Sequence, residues 1–234
     1  MIKYSINDEI QDLLTKVNHY FHSLKHLLGD DIYLDYDPSE LALTSNERKK
    51  DQLTALFYEI RDCQKCELAT HRTKLVFGYG NSNPAFMLIG EAPGFYEDRE
   101  GIPFVGKAGQ LLDKILKAIQ LSREDVYITN VVKCRPPNNR DPLPEECQAC
   151  NFILRRQIEI IKPQFILILG RIAAGVLLNT EDSISTLRGK VYEIFNSRAV
   201  VTYHPAALLR NQGLKRNTWE DVQLLQSLYK KNMV

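Results

Sequence analysis

Five cysteines are placed unevenly along this chain: Cys63 and Cys66 form a CQKC pair, Cys147 and Cys150 form a second CxxC, and Cys134 stands apart. A turn can aim two thiolates at this spacing toward one metal, so the first pair is a fairly specific sign of metal ligation. On spacing alone the rest of the ligand set is ambiguous, and a zinc site of Cys63, Cys66, Cys147 and Cys150 is a fitting choice. The cysteines bracket a loop that reads GEAPGFYEDREGIPFVGKAG, from Gly90 to Gly109, and an HPAALLR segment follows far downstream, from His204 to Arg210.

Elements that would position these residues can be read from hydrophobic patterning. Four apolar runs recur: AFMLIG (Ala85 to Gly90), VYITNVV (Val126 to Val132), FILILG (Phe165 to Gly170) and AVVTYH (Ala199 to His204). They lack polar alternation and are separated by helical stretches, roughly Gly109 to Gln120, Leu143 to Ile161, Ile172 to Leu178 and Leu214 to Tyr229. That order predicts an α/β fold, a three-layer sandwich with a central, mainly parallel four-stranded sheet covered on both faces. Ligands of open α/β sheets bind beyond the carboxyl ends of the strands. Those ends carry Gly90 and Glu91, Asn130, Gly170 and His204, a more polar set than a sheet built only for stability requires.

Residues 1–45 read differently. Ile10, Leu13, Leu14, Val17, Tyr20, Phe21, Leu24 and Leu27 fall at helical spacing, closed by Gly29, and an acidic, then polar, then basic connector follows. The expected organisation is an N-terminal helical extension over 1–45 and one main domain over 46–234. With 234 residues, 44% hydrophobic and 25% charged, the chain can bury one sizeable core.

Composition also narrows the setting. Thiol clusters without a disulfide framework suit a reducing compartment, and the odd cysteine count agrees. The start of the sequence lacks the basic-then-apolar order of a signal peptide, and no run of about 18 apolar residues occurs, so a cytoplasmic protein with no membrane partner is expected. Net charge is +1, so any contact with nucleic acid must come from a local basic patch.

Taken in order, GEAPG, EDxxGxPFVGxAG, TNVVKCRPPNNRDP with a later cysteine, and HPAALLR resemble the family 4 uracil-DNA glycosylases over about residues 50–230. The resemblance implies hydrolysis of the N-glycosidic bond of uracil in single- or double-stranded DNA by a monofunctional, monomeric enzyme of base-excision repair. It implies a structural 4Fe-4S cluster on Cys63, Cys66, Cys134 and Cys150, leaving Cys147 as an extra thiol one helical turn before Cys150. Alternatives of a different class are a zinc or iron-sulfur module that binds nucleic acid without catalysis, and a glycosylase with a broader range of deaminated bases.

A flipped base must be read by its edge and its face. Asn130 suits the edge, because its amide accepts from N3–H and donates to O4, a pattern cytosine refuses. Phe104 resembles the family's stacking aromatic. Cleavage builds negative charge on uracil and cationic character on the sugar, so His204 is expected at O2, with Glu91 and Glu97 near the sugar. Ala92 stands where other uracil glycosylases carry an aspartate. Asn138 matches a further family position in the KCRPPNNR loop. Phe95 and Tyr96 replace residues that are smaller or acidic in many relatives, and Tyr96 or Glu97 is expected to exclude the thymine methyl.

For DNA contact, Leu208 or Leu209 is the expected wedge and Arg210 the expected phosphate ligand. Lys107, Lys133, Arg135, Arg140, Arg171, Arg188, Lys215 and Arg216 are the candidates for the basic patch. The N-terminal helix either packs on the core or binds a repair or replication protein.

Overall fold

The computed structural model describes Thr15, Lys16 and residues 44–232. Of the helix expected from Ile10 to Leu27, only Thr15 and Lys16 are described, both helical; the rest lies outside the described residues. The chain divides between Leu43 and Thr44 into two units, and the second holds everything that follows. Thr44 caps helix α1 (Ser45–Ile60): its hydroxyl accepts from the Glu47 amide at 3.2 Å, and the Glu47 carboxylate accepts from the Thr44 amide at 2.7 Å. Such a reciprocal capping box fixes where a helix starts.

The four apolar runs form the parallel centre of the sheet as β2 (Phe86–Gly90), β3 (Tyr127–Asn130), β4 (Phe165–Leu169) and β6 (Ser197–Thr202). Among the described residues the sheet has six strands rather than four. The additions are β1 (Tyr79–Gly80), antiparallel to β3, and β5 (Val191–Ile194), antiparallel to β6. The order is β1-β3-β2-β4-β6-β5. A two-residue turn, Phe195–Asn196, joins β5 to β6 with both residues at positive φ (50° and 61°), the backbone that matches the twist of a tight hairpin.

Helices cover both faces. They are α2 (Leu68–His71), α3 (Phe95–Glu100), α4 (Lys107–Ala118), α5 (Pro144–Ile161), α6 (Arg171–Leu178), α7 (Ile184–Leu187), α8 (Pro205–Arg210) and α9 (Leu214–Asn232). Alternate strand residues face opposite ways. Met87, Ile89, Ile166, Ile168 and Val201 pack with α1, α5, α6 and α7, while Leu88, Ile128, Leu167 and Val200 pack with α4 and α9. Both layers are dry: Leu56 and Leu154 on one side and Leu112 on the other are 0% exposed. Cutting any of these leucines to alanine costs roughly 2–5 kcal/mol.

Register aligns the ends of the parallel strands. Gly90 pairs with Asn130, Leu169 with Thr202, and the Gly170 amide donates to Thr202 O at 3.0 Å. Residues just beyond these pairs therefore share one rim. No helix among the described residues is long and apolar enough to cross a membrane.

Candidate active site

At that rim lies a cavity of about 310 Å³ whose wall includes Glu91, Ala92, Glu97, Phe104, Asn130 and His204. The residues expected from three strand ends thus converge. A wider depression of about 650 Å³ beside α1 and β1 has Lys50 and Glu124 as its charged residues, a setting without a matched acid, base or orphaned acceptor. Chemistry belongs to the smaller cavity.

Asn130 ends β3 and is 2% exposed. Its backbone carbonyl accepts from Lys133 Nζ at 2.6 Å, but its side-chain Oδ1 has no hydrogen-bond partner. Buried polar atoms are rarely left so, and this acceptor faces the cavity. Its neighbour Gly90 leaves the room: a Cβ there would meet Asn130 Oδ1 and come within 2.6 Å of Phe104 Cζ.

Phe104 is 5% exposed and holds φ 56°, a left-handed backbone that costs a non-glycine residue about 1–3 kcal/mol. The loop is held there by Arg123, whose Nη2 donates to the carbonyls of Pro103 and Phe104 while its Nε donates to Asp113 at 2.6 Å. The Phe104 ring lies 5.4 Å from the His204 ring at an angle of 31°. Ring and imidazole thus meet on the wall of the cavity that Asn130 also lines.

His204 precedes Pro205 and caps α8. Its Nδ1 accepts from the Ala206 amide at 3.2 Å, which leaves the proton on Nε2. Burial, helped by the charge of Arg210, pushes its pKa down to about 4. At neutral pH it is an uncharged imidazole with a donor at Nε2. Gly170 makes the approach possible: at φ 98° it adopts a backbone that favours glycine, and a Cβ would sit 3.0 Å from His204 Cβ.

The two expected carboxylates are built differently. Glu97 is 9% exposed and committed to backbone: Oε2 accepts from Gly94 N at 3.1 Å, Oε1 from Val105 N at 3.0 Å and Gly106 N at 2.9 Å. It lines the cavity as expected by position, and it pins the loop that carries Phe104. Burial pushes the Glu91 pKa up to about 7, joined by the charge and hydrogen bond of Asp141, against the opposing charges of Arg171 and Arg210. Asp141, which sequence reasoning missed, also lines the cavity and accepts from Arg171 Nη2 at 3.0 Å. Its signal was an acid set directly after the basic loop, in Arg140-Asp141-Pro142.

Other expectations are corrected by position. Asn138 is exposed and outside the cavity, whereas Asn139 lines it; both are left-handed, at 55° and 54°. Tyr96 points outward at 57% exposure and is absent from the wall. Leu208, on the inner side of α8, is 1% exposed, leaving Leu209, at 48%, as the exposed leucine. Lys133 is 0% exposed, bonded to Thr129 Oγ1, Asn130 O and Gln157 Oε1 at 2.6–2.7 Å, and burial pushes its pKa down to about 7. Arg188 is turned inward onto Asn217 O at 2.6 Å and onto Asp221, which in turn accepts from Thr202 Oγ1 at 2.8 Å. It anchors the end of β6 rather than meeting solvent.

Arg140 lies at the cavity with both terminal nitrogens on the Glu146 carboxylate, at 2.9 and 2.6 Å. Arg135 donates to Asn139 Oδ1 at 2.7 Å and lies over Phe95. Arg210 lines the cavity, and Lys107, Lys215 and Arg216 are exposed.

All five cysteines are free and belong to the hydrophobic cluster of the α1 and α5 face. Burial pushes Cys150 up to about 12 and Cys147 to about 11; Cys66 and Cys134 are raised in the same way. Like charge adds to this, from Cys63 and Cys66 on Cys134, and from Cys134 and Cys66 on Cys150. Cys66 is thus near Cys134, Cys147 and Cys150, and Cys63 near Cys66 and Cys134; Arg72 ties the group, donating to Cys134 Sγ at 3.4 Å and Cys63 O at 2.6 Å. Among the described residues no three potential ligands converge as on a single ion. A tetrahedral ion bonded at about 2.3 Å needs sulfurs roughly 3.8 Å apart, whereas a multi-iron cluster accepts a wider spread. The donor set, four thiols and no histidine or carboxylate, fits an iron-sulfur cluster.

A family model described as the uracil DNA glycosylase superfamily matches residues 77–227. Among curated relatives, a type-4 uracil-DNA glycosylase of Archaeoglobus fulgidus is 45% identical over 186 residues, 76% of this chain and 94% of the relative. One of Saccharolobus solfataricus is 49% identical over 180 residues, covering 73% and 83% of the two chains. One of Thermotoga maritima is 44% identical over 176 residues, covering 74% and 92%.

Proposed function

Because the chain belongs to the uracil DNA glycosylase superfamily, we propose that it is a uracil-DNA glycosylase that hydrolyses the N-glycosidic bond of uracil in DNA. The products are free uracil and an abasic site. The observation that carries this reading is the orphaned Oδ1 of Asn130 in a cavity it shares with Phe104 and a neutral His204. A buried acceptor without a donor fits uracil N3–H, and the same amide donates to O4.

The residues act in sequence on the flipped nucleotide. Phe104 stacks on the base, and the floor at Gly90 and Ala92 keeps that face close. As the bond to C1′ breaks, electrons move into the uracil ring and His204 donates its Nε2–H to O2, a bond that strengthens as charge develops. Being neutral, His204 does not need to lose a proton first. Ionised Glu91, favoured by the charges of Arg171 and Arg210, faces the cationic sugar and orients the attacking water. Glu97 acts through the loop and does not touch the reacting atoms. Arg210 and Leu209 meet the DNA at the cavity mouth, the arginine on phosphate and the leucine in the gap left by the base.

Cys63, Cys66, Cys134 and Cys150 would hold a 4Fe-4S cluster, which supplies a structural cross-link and leaves no ligand position open to substrate. It would join the segment after α1 to the Lys133–Arg140 loop and α5. The test is alkali-resolved cleavage of a uracil-containing oligonucleotide by the full chain and by His204→Ala. Cleavage by the wild type with a fall of roughly 10²–10³-fold in kcat in the variant is expected. Absence of uracil release by folded wild type would overturn the reading.

A further inference from the structure

Helix α3 carries an aromatic pair that nothing in the core explains. Phe95 is 44% exposed and Tyr96 57%, with ring centroids 5.5 Å apart at 82°. Two guanidinium groups lie against Phe95, Arg135 at 5.1 Å and Arg99 at 5.7 Å from the ring centroid. The pair is next to the cavity, because Gly94 on one side and Glu97 on the other both line it. It is also rigid. Glu97 is fixed by three backbone amides, and the buried Asp98 accepts from Thr73 N at 2.9 Å, so the next two residues of the helix hold it down while Phe95 and Tyr96 face out.

Exposed aromatic rings interleaved with arginines, beside a pocket for a flipped base, match the way proteins hold unpaired nucleotides. Bases stack on the rings and the arginines take the phosphates between them. Charge complementarity favours this occupant: both side chains that lie over the Phe95 ring are arginines, and Arg135 is itself tied to the cavity wall through Asn139 Oδ1 at 2.7 Å. We propose that Phe95 and Tyr96, with Arg99 and Arg135, form a stacking platform for the unpaired bases flanking the target uracil, which favours single-stranded DNA as substrate. This rests on the glycosylase reading of the adjacent cavity. In a duplex the flanking bases stay stacked on their own neighbours, so the platform acts chiefly on single strands.

The experiment compares the full chain with the Phe95→Ala/Tyr96→Ala double variant, two exposed positions whose loss leaves the core intact. Excision is measured on a single-stranded oligonucleotide with one uracil, on the same oligonucleotide in a duplex, and on a single strand whose bases beside the uracil are replaced by abasic spacers. Binding of a uracil-free thymidine oligomer is measured by fluorescence anisotropy. The expected result is a fall in kcat/KM of roughly tenfold or more on the single strand, less than threefold on the duplex, and no further fall when the variant meets the spacer substrate. Equal losses on single strand and duplex, or no loss on either, overturn the platform. If the wild type releases no uracil from any substrate, the glycosylase reading fails; loss of thymidine-oligomer binding in the variant would then still support the platform, and unchanged binding would overturn it.

Discussion

The strand-end cavity and the cysteine corner share one stretch of chain, Asn130 to Cys134, yet they treat their polar atoms in opposite ways. In the cavity, Asn130 Oδ1 has no partner and Glu91 holds its proton to about pH 7. In the corner, Arg72 and Lys133 have their donors placed on protein acceptors. At the cavity the unsatisfied atom marks where a ligand completes the structure; in the corner the satisfied ones mark a support. Position beside the cysteines therefore says little about catalysis, and an orphaned acceptor in the cavity says more.

The sharpest break of this comparison is Asn130→Ala. Removing the orphaned acceptor should lower kcat/KM for uracil by roughly 10³-fold or more with little change in thermal stability, since no protein partner is lost. A variant that melts early and keeps its rate would place Asn130 with the support instead.

Cys134→Ser should do the reverse. Loss of the proposed cluster and its cross-link should lower the thermal midpoint on the order of 10 °C, with iron content and the visible absorption falling together. A variant with full stability and no iron would show that the corner does not support the fold.

Lys133→Met tests the link between the regions. Three acceptors lose their donor while a costly buried ammonium also disappears, so stability should fall by about 2 kcal/mol. Because Lys133 holds the Asn130 carbonyl, kcat/KM should fall roughly tenfold as well. Lost stability with an unchanged rate would separate the two regions.

The smallest effect is expected for Asp141→Asn. Burial and the neighbouring carboxylate both raise Glu91, so the wild-type rate should climb with pH through about 7 as Glu91 ionises. Removing the Asp141 charge leaves the burial, with Arg171 and Arg210 now less opposed, so the acidic limb should move down by about one unit or less. A limb that stays in place would assign it to another group.

How far the sequence disclosed this depends on the kind of signal. Uninterrupted apolar runs such as FILIL can hardly be anything but buried parallel strands, and the glycines and polar residues that end them located the cavity. β1 has two residues and β5 alternates while half exposed, so neither gives a run long enough to recognise. Residue type misled where a charge is turned inward: Lys133 and Arg188 resemble surface cations until their acceptors are seen. Glu91 and Glu97 are chemically identical in the sequence, and only the backbone amides of the Phe104 loop separate them. Asn138 and Asn139 are adjacent and alike, and the chain path alone decides which one reaches the cavity.

The β5–β6 hairpin gives the molecule a practical handle. Its Phe195–Asn196 turn lies before β6, at the amino end of the strand, whereas His204 follows the carboxyl end. A dye, a surface tether or a fused domain attached there would hang from the back of the protein. Immobilised that way, the enzyme would present its cavity to passing DNA unobstructed.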